Sequence, residues 1–174
     1  MTDAVEAARR EMIEIADTNP DFARMAATMA FAVNIDRMLY VTHVGDCRAY
    51  LLHRGRLRRL TSDQTFVQAA INAGVLTEET ARSHAWRHVV TNTVGVKPLD
   101  ERIEVSEIRL CPGDRLLLCS DGLTDVVADD ELQQLLAFQK GSPQAAANAL
   151  IDLALEHDSH DNVTCVVFDV VELE

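Results

Sequence analysis

The feature that most restricts the fold is a series of short β-rich runs between Thr28 and Leu60. The runs cover residues 29–35, 38–44 and 48–53, and the polar turns 34–37, 45–46 and 54–55 separate or follow them. A parallel neighbour needs a crossover of about a dozen residues or more, which these connections do not supply. The sequence therefore predicts an antiparallel meander.

Helical patterns lie on both sides of this meander. Residues 3–17 carry apolar side chains at helical spacing and charges on the other face, which predicts an amphipathic helix that ends at Asn19–Pro20. Residues 66–95 are expected to be helical and then irregular, with Thr77 capping a short helix after Gly74.

The second half of the chain again mixes the two patterns. Strands are predicted at residues 103–110, 115–119 and 162–171, and helices near residues 129–138 and 143–157. This order is not a regular βαβ alternation, so it indicates the α+β class. A length of 174 residues predicts a single globular domain over residues 1–174.

Composition narrows the classes of function. The chain has 16 basic and 28 acidic side chains, a formal net charge of −12 that repels nucleic acid backbones and anionic lipid. No apolar run approaches the ~20 residues of a transmembrane helix. We therefore expect neither a nucleic acid nor a membrane partner.

The cysteines argue for a reducing compartment. Cys47, Cys111, Cys119 and Cys165 are scattered, and three lie in or beside apolar strand-like runs. This distribution favours reduced, partly buried thiols over a disulfide framework or a Cys-x-x-Cys metal site. The expected location is the cytoplasm.

Three aspartates stand where predicted strands meet turns. Asp46 follows Gly45 between two strands, Asp121 follows the run 115–119, and Asp161 precedes the last strand. A sheet can gather carboxylates from strand ends, and oxygen ligands suit Mg²⁺ or Mn²⁺. Taken singly, each aspartate is explained better by the ordinary preference of Asp for turns.

Four motifs decide between these alternatives, because together they resemble the metal-dependent protein serine/threonine phosphatases of the 2C (PPM) type. They share the order and approximate intervals of that family: residues 44–51 (VGDCRAYL), 60–63 (LTSD), 113–125 (GDRLLLCSDGLTD) and 161–164 (DNVT). The resemblance runs from about residue 3 to the end of the chain and corresponds to the C-terminal two thirds of the usual domain.

The resemblance implies a fold and an activity. The fold would be α+β, with two packed antiparallel β-sheets flanked by helices and a flap-like region at residues 62–95. The activity would be hydrolysis of phosphoserine and phosphothreonine in phosphorylated protein substrates. Asp121 and Asp161 would bind two Mn²⁺ or Mg²⁺ ions, and Asp46 would help to hold a third, weaker ion. The residue patterns of cysteine-dependent phosphatases, of nucleophile elbows and of P-loops do not occur.

The chain also departs from the family. Nothing before Asp46 matches the phosphate-binding Arg or the bridging Asp of the usual N-terminal motifs, and Cys47 and Gln64–Thr65 replace a usual Ser and His-Ser. Three interpretations follow: an active enzyme, an inactive regulatory or interaction domain with the same fold, and a fragment of a longer enzyme.

Other candidate groups have simpler explanations. His157 and His160 fit a hydrated loop, and His84 and His88 lack the Glu of a metalloprotease helix. Trp86 is expected either to contact substrate or to anchor the flap-like region. A basic cluster, which we interpret as solvated hairpin residues or a substrate-steering patch, contains Arg54, Arg56, Arg58 and Arg59.

Overall fold

The structure, a computed structural model, describes residues 2–97, 103, 105–138 and 141–171. The helices are α1 (Thr2–Thr18), α2 (Phe66–Asn72), α3 (Glu78–Arg82), α4 (Asp121–Thr124), α5 (Asp129–Phe138) and α6 (Pro143–Glu156), with a 3-10 turn at Pro20–Phe22. The strands are β1 (Ala26–Ala27), β2 (Met29–Ile35), β3 (Met38–Val44), β4 (Arg48–His53), β5 (Arg56–Arg59), β6 (Val94–Gly95), β7 (Ser106–Arg109), β8 (Arg115–Cys119) and β9 (Cys165–Asp169).

The described residues form two compact units that alternate along the sequence. Unit 1 draws on Met1–Met29, Thr42–Asp46 and Ser62–Val105. Unit 2 draws on Ala30–Val41, Cys47–Thr61 and Ser106–Glu174. The single domain expected over residues 1–174 stays a prediction.

Most of the regular secondary structure of unit 1 is helical. Its small core contains Val5 of α1, Val44 and Val94, with Met12 and Met29 packed against them. The two-residue strands β1 and β6 pair antiparallel. The flap-like region at residues 62–95 lies in this unit and contains α2 and α3. Thr77 caps α3 by accepting a hydrogen bond from the backbone N–H of Thr80, as its sequence predicts.

Unit 2 is built on a four-stranded antiparallel sheet of order β5-β4-β8-β9. Tyr50, Leu117 and Val167 lie side by side on β4, β8 and β9, across two of its three strand pairings. A second sheet has three strands in the order β2-β3-β7, and Leu39 of β3 lies opposite Ile108 of β7.

The four-stranded sheet is buried on both faces because its side chains alternate between two cores. Leu51 and Leu116 point into the core shared with Leu39 and Val41 of the three-stranded sheet. Tyr50 and Leu117 point into the opposite core, which helices α4, α5 and α6 cover with residues such as Leu123, Leu132 and Leu150. Unit 2 therefore has three layers, which are the three-stranded sheet, the four-stranded sheet and the helices. This arrangement agrees with the predicted α+β class, in which packed antiparallel sheets are flanked by helices.

Most predicted elements are confirmed, and two strands are shorter than predicted. The last strand is shorter than residues 162–171, because Thr164 bonds back to Ser120 before β9 begins at Cys165. The strand predicted at residues 103–110 covers only Ser106–Arg109, and residue 104 lies outside the described residues. The sequence patterns do not predict the short elements α4, β1, β5, β6 and the 3-10 turn at Pro20–Phe22. In the described part of the chain, none of the helices has both the length and the apolar character of a membrane span.

Candidate functional site

Asp121 stands at the junction of β8 and α4. The strand ends at Cys119, Ser120 occupies the N-cap position in an extended conformation, and Asp121 is the first residue of the helix. The Oδ1 atom of Asp121 accepts a hydrogen bond of 2.9 Å from the backbone N–H of Gly122. Its carboxylate is half-buried, so a local backbone contact orients it without removing it from solvent.

Asp161 lies in the loop between α6 and β9. It is exposed, and its Oδ1 atom accepts a hydrogen bond of 2.7 Å from the backbone N–H of Asn162. The arrangement repeats that of Asp121, where the N–H of the following residue also bonds to Oδ1. A carboxylate that accepts one such bond can still bind a cation through its other oxygen.

The segments that carry the two aspartates are joined by hydrogen bonds centred on Ser120. Its Oγ donates to the carbonyl oxygen of Asn162 at 3.1 Å and accepts from the N–H of Thr164 at 3.1 Å. Its own N–H donates to the carbonyl oxygen of Thr164 at 3.0 Å. The Oγ of Ser159 donates to the carbonyl oxygen of Gly122 at 2.7 Å. Together, these bonds hold the two loops at a fixed spacing.

Gly122 allows this close approach. A Cβ atom at position 122 would lie 2.5 Å from the carbonyl oxygen of Asn162 and 3.5 Å from the carbonyl carbon of Asp161. Any side chain there would therefore displace the backbone that bears Asp161. The structure brings Asp121 and Asp161 onto touching segments of unit 2, as the motif resemblance implies.

The donor chemistry of these segments fits a hard divalent cation. Both predicted ligands are carboxylates, and the exposure of Asp161 leaves a route for an ion and its waters. Two aspartates on adjacent backbones can share one ion. The assignment of Asp46, Asp121 and Asp161 as metal ligands stays a prediction.

Asp46 belongs to unit 1, where a tight turn positions it. Gly45 has a φ of +94°, and a Cβ atom there would lie 2.3 Å from the side chain of Thr28, so glycine is needed for both conformation and space. The Oε1 atom of Gln64 accepts bonds from the N–H of Gly45 at 2.8 Å and from Asn92 at 3.0 Å. Asp46 itself is 9% exposed.

Burial affects two of the thiols in unit 2, Cys119 on β8 and Cys165 on β9. Burial raises the pKa of Cys119 to about 12 and also raises the pKa of Cys165, so both remain thiols at neutral pH. None of the four cysteines, all of which lie in the described part of the chain, forms a disulfide bond. The buried and half-buried positions of these side chains agree with the expectation, and their reduced state stays a prediction.

The remaining candidates take structural positions. Trp86 is 55% exposed and packs edge-on against Phe66 at 4.9 Å between ring centroids, and His84 stacks on the same ring. These contacts lie within the flap-like region, so substrate contact and anchoring of the flap to the core both stay predictions for Trp86. His157 contacts the carbonyl oxygen of Val126 at 3.0 Å. The basic cluster is mainly solvated, since Arg54, Arg56 and Arg58 are exposed.

Known proteins share both the sequence and the fold. Residues 1–171 match the family described as Stage II sporulation protein E (SpoIIE). The serine/threonine protein phosphatase PstP of Mycobacterium tuberculosis is 37% identical over 171 residues, which are 98% of this chain and 32% of PstP. The crystal structure of M. tuberculosis PstP/Ppp superposes with a TM-score of 0.91 at 34% identity and covers 98% of this chain and 71% of that one.

This chain belongs to the 2C-type (PPM) serine/threonine phosphatase family. A second structure, the catalytic domain of PstP in complex with two manganese ions, superposes with a TM-score of 0.88 at 33% identity, covering 98% of this chain and 70% of that one. The chain spans about a third of the full length of PstP. The activity and substrates of the whole relatives are therefore a matter for proposal.

Proposed function

We propose that this chain forms part of a metal-dependent phosphatase that hydrolyses phosphoserine and phosphothreonine in proteins. The observation that carries the proposal is the interlocked pair of segments at Ser120–Gly122 and Asp161–Asn162, where two carboxylates are fixed on touching backbones. The two manganese ions in the structure of the relative PstP support Mn²⁺ or Mg²⁺ as the cations. Asp46 is the proposed ligand of a third, weaker ion.

The residues of this chain have distinct tasks in that function. Asp121 and Asp161 bind and position the cations through their carboxylates, and Ser120 maintains the spacing of the two loops. When bound, the cations supply activation of water and neutralisation of the charge on the transferring phosphoryl group. No side-chain nucleophile is required, which agrees with the raised pKa of the neighbouring Cys119 thiol.

Calorimetric titration with Mn²⁺ tests the ligand assignment. Asp121→Asn and Asp161→Asn should each weaken binding by at least about tenfold, because each removes a charged oxygen ligand. Asp152→Asn is the matched control, since Asp152 is an exposed carboxylate on α6. Equal binding by the wild type and both ligand variants would show that the cations bind elsewhere.

Turnover tests the reaction. The 174-residue chain should hydrolyse p-nitrophenyl phosphate and a phosphothreonine peptide much more slowly than the same chain fused to the N-terminal motifs of the family. The missing phosphate-binding Arg and bridging Asp should each cost on the order of a hundredfold in rate. Absence of Mn²⁺-dependent turnover in the fused protein would favour the inactive regulatory domain instead.

The location proposed for this activity is the cytoplasm. The support for it is the cysteine pattern, because the four cysteines are scattered and none of them forms a disulfide bond. Cell fractionation with an antibody to the chain tests this location, and recovery in an extracytoplasmic fraction would contradict it.

A further inference from the structure

Three potential metal ligands of unit 2 converge at one end of strands β4 and β8. His53 is the last residue of β4, Cys111 lies in the turn that follows β7, and Asp114 immediately precedes β8. Their nitrogen, sulfur and oxygen donor atoms all lie within 4.8 Å of one another. Among the described residues, this is the one group of three such side chains that lie this close together.

Hydrogen bonds fix the carboxylate at the centre of the group. Asp114 is 2% exposed, and its Oδ2 atom accepts a bond of 2.9 Å from the backbone N–H of Cys111. Its Oδ1 atom lies 2.7 Å from Nδ1 of His53. The backbone of the turn is held as well, since the N–H of Val170 donates to the carbonyl oxygen of Asp114 and the N–H of Gly113 donates to that of Val170, both at 2.8 Å.

We propose that His53, Cys111 and Asp114 form a zinc site. Cysteine thiolate, histidine imidazole and aspartate carboxylate are each ligands of Zn²⁺, and three protein ligands leave a fourth position for water, whereas Mg²⁺ and Mn²⁺ prefer oxygen ligands. Zinc bonds of roughly 2.0–2.3 Å place tetrahedral ligand atoms roughly 3.3–3.8 Å apart. The donor atoms, which are at most 4.8 Å apart, need to move by about 1 Å to reach this geometry.

The protons balance in a simple way when zinc binds. The Cys111 thiol loses one proton to solvent and becomes a thiolate. Zinc replaces the proton that lies between Nδ1 of His53 and the carboxylate of Asp114. The imidazole stays neutral because it then carries its one N–H proton on Nε2. Water occupies the fourth position, and it has access because the His53 side chain is 41% exposed.

This site is separate from the proposed phosphatase ligands. His53 and Asp114 stand at the beginning of β8, and Asp121 follows the other end of that strand. The five residues of β8 span roughly 17 Å at about 3.4 Å per residue. The zinc site would cross-link β4 to the turn before β8, so we expect it to stabilise the four-stranded sheet.

Cobalt(II) is a spectroscopic probe for this site. The 174-residue chain should bind Co²⁺ with a near-ultraviolet charge-transfer band that arises only from thiolate ligation, and one equivalent of Zn²⁺ should remove the band. Cys111→Ser should abolish the band, and His53→Gln should weaken Co²⁺ binding by at least about tenfold. Cys165→Ser removes another half-buried thiol and is the matched control, which should keep the band.

Two further measurements separate this proposal from the phosphatase function. The double variant Asp121→Asn, Asp161→Asn should keep the thiolate band, since carboxylate-bound Co²⁺ does not produce it. Zinc should also raise the thermal midpoint of the wild type but not of Cys111→Ser, because a ligand that binds the folded state stabilises it. A wild type without the band, or a band that survives in Cys111→Ser, would overturn the zinc site and leave the phosphatase proposal intact.

Discussion

Replacing Gly122 by alanine tests whether the contact between the two aspartate-bearing segments is needed for metal binding. The added Cβ would meet the carbonyl oxygen of Asn162 at 2.5 Å, whereas ordinary contacts of this kind begin near 3.4 Å. The segment that carries Asp161 must therefore withdraw by about 0.9 Å, the difference between these two distances. Metal–ligand distances tolerate only about 0.2 Å of variation, so the displacement is several times larger than a site can absorb.

Two opposing terms set the effect of this substitution on stability. Overpacking costs about 1–3 kcal/mol, and the better helix propensity of alanine in α4 returns up to about 1 kcal/mol. The net loss lies between about 0 and 3 kcal/mol, and its central value of about 1.5 kcal/mol corresponds to a decrease in the thermal midpoint of roughly 3–6 °C for a chain of this size. Affinity for Mn²⁺ should fall by at least about tenfold.

Calorimetric titration with Mn²⁺ and thermal unfolding measure the two effects. Gly141→Ala is the matched control, because a Cβ there would meet only the methyl group of Ala145, at 3.3 Å, and no backbone atom. It should leave Mn²⁺ affinity unchanged. Wild-type affinity and stability in Gly122→Ala would refute the argument that this close approach holds the ligands in place.

Three further predictions concern the interior of unit 2. Arg115→Met should lower the free energy of unfolding, measured by urea denaturation, by about 3 kcal/mol, because Asp169 loses a bidentate ion pair with bonds of 2.5 and 2.8 Å. Replacing both residues by apolar ones should lower it less. Tyr50→Phe should lower the free energy of unfolding by about 1–2 kcal/mol in the same assay, since the hydroxyl of buried Tyr50 donates a hydrogen bond to Asp129 at 2.9 Å. For Cys119, the thiol ionises near 9.0 when unfolded but near 12 when folded, so above pH 9 the folded state holds more protons. The free energy of unfolding should therefore fall as pH rises from 9 toward 12, and Cys119→Val should flatten that decline.

Local sequence patterns predicted most of the strands because tight turns leave little choice of pairing. The bounds of β2, β3, β4 and β8 agree with the expected runs, and Thr77 caps α3 as predicted. The residue at which the last strand begins could not be predicted in this way. Residues before Cys165 bond to Ser120, which is more than 40 positions away in the sequence, and a local pattern contains no record of such a partner.

For the candidate site too, the sequence predicts some residues but not the long-range contacts that position them. Asp121 and Asp161 could be named from their motifs, but the contact of Gly122 with Asn162 that fixes their spacing emerges only in three dimensions. The group of His53 and Asp114 was missed, because the two residues are 61 positions apart and neither lies in a spacing typical of metal ligands. Only the register of β4 with β8 places these two residues together.

The alternation of the two units along the sequence governs how the chain can fold and be dissected. The chain passes from one unit to the other five times, at 29/30, 41/42, 46/47, 61/62 and 105/106, so neither unit corresponds to a continuous fragment. A truncation at 41/42, 46/47 or 61/62 removes segments from both units, whichever end of the chain is deleted. Neither unit can be completed during synthesis until its last segment has been made, and contacts between such distant segments slow folding toward the millisecond-to-second range.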